Sequence, residues 1–90
     1  VLGMQLKDLT PAQRKQLGFS QGVRVERVVE GPALKAGVRP GDVIQQVQGR
    51  PMRSAAELRD LAPQLPRNKP VPVLVRRGAA ALFLALRISE

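Results

Sequence analysis

Leu2, Met4 and Leu6 alternate with Gly3 and Gln5 at the start of the chain, the period of two that a strand with one buried face requires. A first strand is predicted over 2–7. Thr10-Pro11-Ala12-Gln13 then supplies a hydroxyl cap, a proline suited to the first helical turn and a Gln that reaches back to the cap, with Gly18 as the stop. A short helix over 11–17 follows. Val23 and Val25 restart the alternation, and Val28-Val29 breaks its parity, so a bulge or the end of the strand is expected near Arg27. Pro32 to Gly37 reads as one helical turn opened by proline and closed by glycine. Arg39-Pro40-Gly41-Asp42 has the chemistry of a type II turn and delivers Val43 and Ile44 into a buried strand that ends at Val47.

Gln48-Gly49-Arg50-Pro51 turns the chain, and Ser54 with Glu57 repeats the helix-start pattern ahead of a helix running to about Ala62, where Pro63 discourages extension. Helical spacing sends Leu58, Ala62 and Leu65 toward a core and leaves Glu57 and Leu61 on the neighbouring stripe. Beyond it, Val71, Val73 and Val75 share one face of a strand, Arg77-Gly78 turns, and Leu82, Leu84, Leu86 and Ile88 share one face of the next. The ending is a β-hairpin. Ninety residues allow one hydrophobic core, so residues 1–90 are read as a single domain, and the start at Val1 as that of a domain excised from a larger protein.

Composition narrows the chemistry. The longest apolar run, Ala79 to Leu86, falls far short of the ~20 residues of a membrane-spanning helix, so no membrane insertion is expected. Cys and His are both absent, which excludes a disulfide framework, Ser-His-Asp and Cys-His hydrolysis, and zinc sites built on those residues. This chain is therefore not expected to be an enzyme, to bind a metal or to carry a cofactor. Fifteen Lys and Arg against seven Asp and Glu leave a formal charge of +8. Nucleic acid is nevertheless not expected as a partner, since the basic residues are dispersed and only Phe19 and Phe83 are aromatic. Asp42, after Pro-Gly, is read as a bonding partner for nearby backbone amides, and Ser54 as a cap.

Taken together, Leu2-Gly3-Met4, Val29-Glu30-Gly31-Pro32-Ala33, Ala36-Gly37-Val38-Arg39-Pro40-Gly41-Asp42-Val43-Ile44, Val47-Gln48-Gly49 and the capped helix resemble a PDZ domain over nearly the whole chain. Their order looks like the circularly permuted bacterial form, and the Leu9-Thr10-Pro11 helix with the Arg76-Arg77-Gly78 hairpin is similar to the second PDZ domain of HtrA/Deg-type serine proteases. The resemblance implies an α+β fold, a partly open β-barrel or sandwich of about five to six strands capped by two or three short helices. It implies a bound peptide that adds a strand to an open edge, its terminal carboxylate held by backbone N–H groups. Carried onto this sequence, Val1, Leu2, Gly3 and Met4 match the carboxylate-binding loop, and Met4, Gln5 and Leu6 the pairing edge. Leu61 would close an apolar pocket with Leu2 and Met4, while Glu57 would face the third residue from the ligand's end and favour a hydroxyl or basic side chain there.

The expected partners are C-terminal or extended peptide segments of unfolded proteins, together with the protease domain and other protomers of a parent. The implied setting is periplasmic protein quality control. The alternative is a scaffold domain that assembles subunits of the protease, or of another envelope protein, without reading C-termini.

Overall fold

The structure, a computed structural model, describes residues 2–18 and 22–88, with Leu17 by its backbone alone. Among the described residues six strands form one open antiparallel sheet, in the order β1 (Met4–Asp8), β2 (Val23–Val28), β3 (Val43–Val47), β5 (Pro70–Arg77) and β6 (Ala80–Arg87), while the two-residue β4 (Arg50–Pro51) pairs with β3. Among the described residues there are three short α-helices, α1 (Pro11–Leu17), α2 (Pro32–Ala36) and α3 (Ala55–Leu61), and a 3-10 turn, Ala62–Gln64, that continues α3. The α+β architecture is the expected one.

Local chemistry sets most boundaries. Thr10 and Gln13 form the reciprocal capping box of α1, and Gly18 closes it in the left-handed region. Ser54 Oγ accepts from the Glu57 amide at the start of α3. Gly41, at φ 92, and the bond from the Asp42 amide to the Arg39 carbonyl make the turn into β3. The parity break lies one residue from Arg27: Gln5 pairs with Arg27 and Leu6 with Val25, so Glu26 is the extra residue of a bulge. That shift lets Val23 and Val25 stay fully buried while Val28 still packs against the core from the side.

The core is aliphatic. Val23, Val25, Ile44, Val47, Met52, Leu58, Val71 and Val75 are all within 1% of full burial. Burying such side chains contributes about 1.5–3 kcal/mol each before the entropy of ordering them is counted. The β5–β6 hairpin follows the predicted phase, with Val71, Val73, Val75, Leu86 and Ile88 buried and Leu82 and Leu84 packed against the core.

Arg50-Pro51, read as part of a turn, pairs with β3 as the short β4, and the start of the first strand also differs from expectation. The first strand begins at Met4, because Leu2 and Gly3 turn the chain with φ 54 and 83. Their period-two spacing with Leu6 resembles a strand, yet left-handed backbone cannot continue a ladder.

Candidate functional site

β1 lies at one end of the sheet and pairs only with β2, so its other edge carries no strand among the described residues. An open edge is a template for an added chain. The turn that leads into it is fastened from behind: the Val29 amide donates to the Gly3 carbonyl at 2.8 Å, and the Ala33 amide, in α2, to the Leu2 carbonyl at 3.2 Å. With both carbonyls held by the body of the protein, the Leu2 and Gly3 amides donate to no group among the described residues. Two successive amides in left-handed backbone make a concavity of partial positive charge suited to an anion.

Gly3 is required at this turn by space as well as by φ. A Cβ there would stand 3.1 Å from the Val29 and Glu30 carbonyl oxygens and 3.3 Å from Gly31 Cα. Leu2, a non-glycine residue at φ 54, is held in a backbone region that L-residues seldom occupy.

α2, which braces the turn at its first end, is itself braced at its last. Arg77 donates from Nη2 to the Gly37 carbonyl at 2.8 Å and makes a two-point contact with Asp42, Nε to Oδ1 at 3.0 Å and Nη2 to Oδ2 at 2.8 Å. The Arg39 amide adds a bond to Asp42 Oδ2 at 3.0 Å. Burial pushes the Asp42 carboxyl upward, but the Arg77 bond, the Arg39 amide and both cationic charges outweigh it and hold its pKa below the ordinary value. The amide bond was foreseeable from the turn; Arg77, 35 residues away, was not.

The expected site residues separate into two groups. Leu2 and Gly3 form the turn, and Met4, Gln5 and Leu6 form the start of β1, with Met4 buried, Leu6 half-buried and Gln5 exposed. Val1 lies outside the described residues. Glu57 and Leu61 belong elsewhere. Together with Arg50, Met52, Asp60 and Gln64 they line a hollow on the β4 side of α3, to which β1 contributes no residue. Leu61 is 7% exposed and part of the hydrophobic core.

Glu57 and Leu61 stand on the flank of α3 away from Ala55, and the cause is the phase of the helix. Asp8 Oδ1, at the end of β1, accepts from the Ala55 amide at 2.7 Å, which fastens the first residue of α3 to that strand. At 100° per residue the flank continuing from Ala55 carries Arg59 and Ala62, while Glu57, Leu61 and Gln64 fall on the opposite side. Glu57 also reaches back, its Oε1 accepting from the Arg53 amide at 3.3 Å.

This open antiparallel sheet, with a left-handed turn entering its edge strand and a helix alongside, matches a known class of domains. Residues 1–88 match the PDZ domain model. A probable periplasmic DegP-like serine endoprotease of Pseudomonas putida is 38% identical over 89 residues, which is 99% of this chain and 19% of that protein. A variant of the HtrA-type protease AlgW, solved with a decapeptide, superposes with a TM-score of 0.90 at 25% identity, covering 99% of this chain and 28% of that one. The HtrA3 PDZ domain bound to the phage-derived ligand FGRWV superposes with a TM-score of 0.82 at 27% identity, covering 97% of this chain and 82% of that domain.

The chain belongs to the PDZ domain family, and its relatives are HtrA/DegP-type serine proteases. It spans about a fifth of the length of the curated relatives it matches. Those relatives are periplasmic by description. No helix among the described residues is long and apolar enough to cross a membrane.

Proposed function

We propose that this chain is the peptide-recognition module of an envelope serine endoprotease, capturing C-terminal segments of unfolded or cleaved proteins by strand addition to β1. The observation that carries the reading is the Leu2-Gly3 turn, whose carbonyls are tied down and whose amides have no partner among the described residues, at the mouth of an edge strand. A peptide antiparallel to β1 places its terminal carboxylate at that turn and its last side chain beside Met4, where Leu2 also packs against the core. The peptide complexes of AlgW and of the HtrA3 PDZ domain support the same mode here. The module binds without catalysing, and the triad that cuts belongs to another part of the parent. Capture near that site raises the effective concentration of the substrate.

Affinity is expected in the micromolar range, roughly 8 kcal/mol, because one strand and one pocket bury little area. The test is a titration of a hydrophobic-ended peptide as free acid and as C-terminal amide. Charge-assisted bonds of about 1.5–3 kcal/mol vanish on amidation, so the amide should bind tenfold or more weakly.

Equal binding of the two would favour a second reading, a scaffold domain that docks protease subunits. Its support is Phe83, 74% exposed on β6 at the other end of the sheet, paired across the strands with Leu74.

A further inference from the structure

The face of β1 that points away from the core is basic. Gln5 pairs across the strands with Arg27, and Lys7 with Arg24, so Lys7, Arg24 and Arg27 occupy one surface beside the open edge. Lys7 and Arg27 are exposed and Arg24 partly so. Two cations directly opposite each other in an antiparallel pair repel. Glu26 meets Arg24 at 3.9 Å between half-exposed side chains, a pair that solvent screens, and the Asp8 carboxylate accepts from the Ala55 amide on α3. Among the described residues neither Lys7 nor Arg27 has an ion pair.

We infer that this surface selects peptides with an acidic side chain at the fourth residue from the C-terminus, an inference that rests on the strand-addition reading above. The register follows from geometry. With the carboxylate at the Leu2-Gly3 turn, the last residue of an antiparallel strand lies beside Met4, the next beside Gln5, the third beside Leu6 and the fourth beside Lys7. Side chains level with one another in adjacent strands share a face. The last and third residues therefore point inward with Met4 and Leu6, and the second and fourth point outward with Gln5 and Lys7. A Glu or Asp at the fourth place faces Lys7 directly and Arg24 one strand further on. A Lys there would extend a row of like charges. The same charge disfavours pairing of β1 with the β1 of a second copy, since cations on an edge strand discourage self-association.

Four peptides test this on the intact chain, by titration at low ionic strength: Glu or Lys at the fourth place from the C-terminus, each as free acid and as amide. Among the free acids, Glu should bind more tightly than Lys by roughly three- to thirtyfold. That gap should shrink in about 1 M salt, where the screening length is near 3 Å. Lys7→Glu should reverse the preference, and Lys7→Gln, which keeps the length and removes the charge, should reduce it. Thermal melts would confirm that both variants fold. Binding of the Glu and Lys peptides within twofold, with free acids still preferred to amides, would overturn the selectivity and leave the carboxylate reading standing. Equal binding of acids and amides would overturn the carboxylate reading and the register built on it.

Discussion

Replacing Gly3 with Ala tests the fastened turn most sharply, because stability and binding should fail together. Gly3 has φ +83 and would set a Cβ 3.1 Å from two carbonyl oxygens. Left-handed backbone costs an L-residue about 1–2 kcal/mol, and overpacking against atoms that cannot turn aside adds about 1–3 kcal/mol. Gly78 is the matched control: it also has positive φ, +61, but nothing lies within 4 Å of the position a Cβ would take. Gly78→Ala should therefore show the backbone cost alone. In a domain of 90 residues, each kcal/mol moves the midpoint by about 4–8 °C, so Gly3→Ala should melt roughly 4–24 °C below Gly78→Ala.

Relief of the clash must move the turn away from Val29 and Glu30, and the amides of Leu2 and Gly3 move with it. Gly3→Ala should accordingly lose the discrimination between free-acid and amidated peptides, measured below its melting transition, while Gly78→Ala keeps it. Equal melting of the two variants, with the free-acid preference intact in both, would refute the account of Gly3.

Other expectations are more local. Asp8→Ala removes the acceptor for the Ala55 amide and should cost about 1 kcal/mol in urea unfolding, weakening peptide binding as the helix loosens from β1. Leu61→Ala should behave as a core truncation of about 2–4 kcal/mol. Glu57→Ala should leave selectivity at the third residue from the peptide's end within twofold, since Glu57 lines the hollow beside Arg50. Asp42 titrates below its ordinary value of 3.8. Its contribution is thus complete above that pH and is lost as pH falls through the lower folded value. Urea stability of the unsubstituted chain should decline with acid in that window, and Asp42→Asn should flatten this part of the profile.

What could be read from the sequence divides by distance along the chain. Thr10 with Gln13 and Ser54 with Glu57 are three apart, so the residues that define each helix start are visible in one window. The bulge is similar: Val23, Val25 and Val28 cannot share a face without an extra residue between them, and Glu26 supplies it. Leu2 misled because alternation reports which residues are apolar rather than φ. It packs against the core as a strand residue would, yet lies in a left-handed turn, and only Gly3 beside it hinted at that backbone.

The flank of α3 was illegible for a different reason. Periodicity fixes which residues face the core, and Leu58 and Leu65 do, but a helix has two flanks beside its buried stripe and its own sequence does not say which meets β1. That choice is made by the bond from the Ala55 amide to Asp8, 47 residues away. The Asp42–Arg77 contact spans 35 residues and was hidden for the same cause. Both contacts reach the proposed recognition surface indirectly, one by setting α3 against β1, the other by holding Gly37 at the end of the helix whose Ala33 amide fastens Leu2. A turn of two residues with strained or left-handed backbone cannot hold its own shape, so its geometry is specified by elements that the local pattern does not reveal.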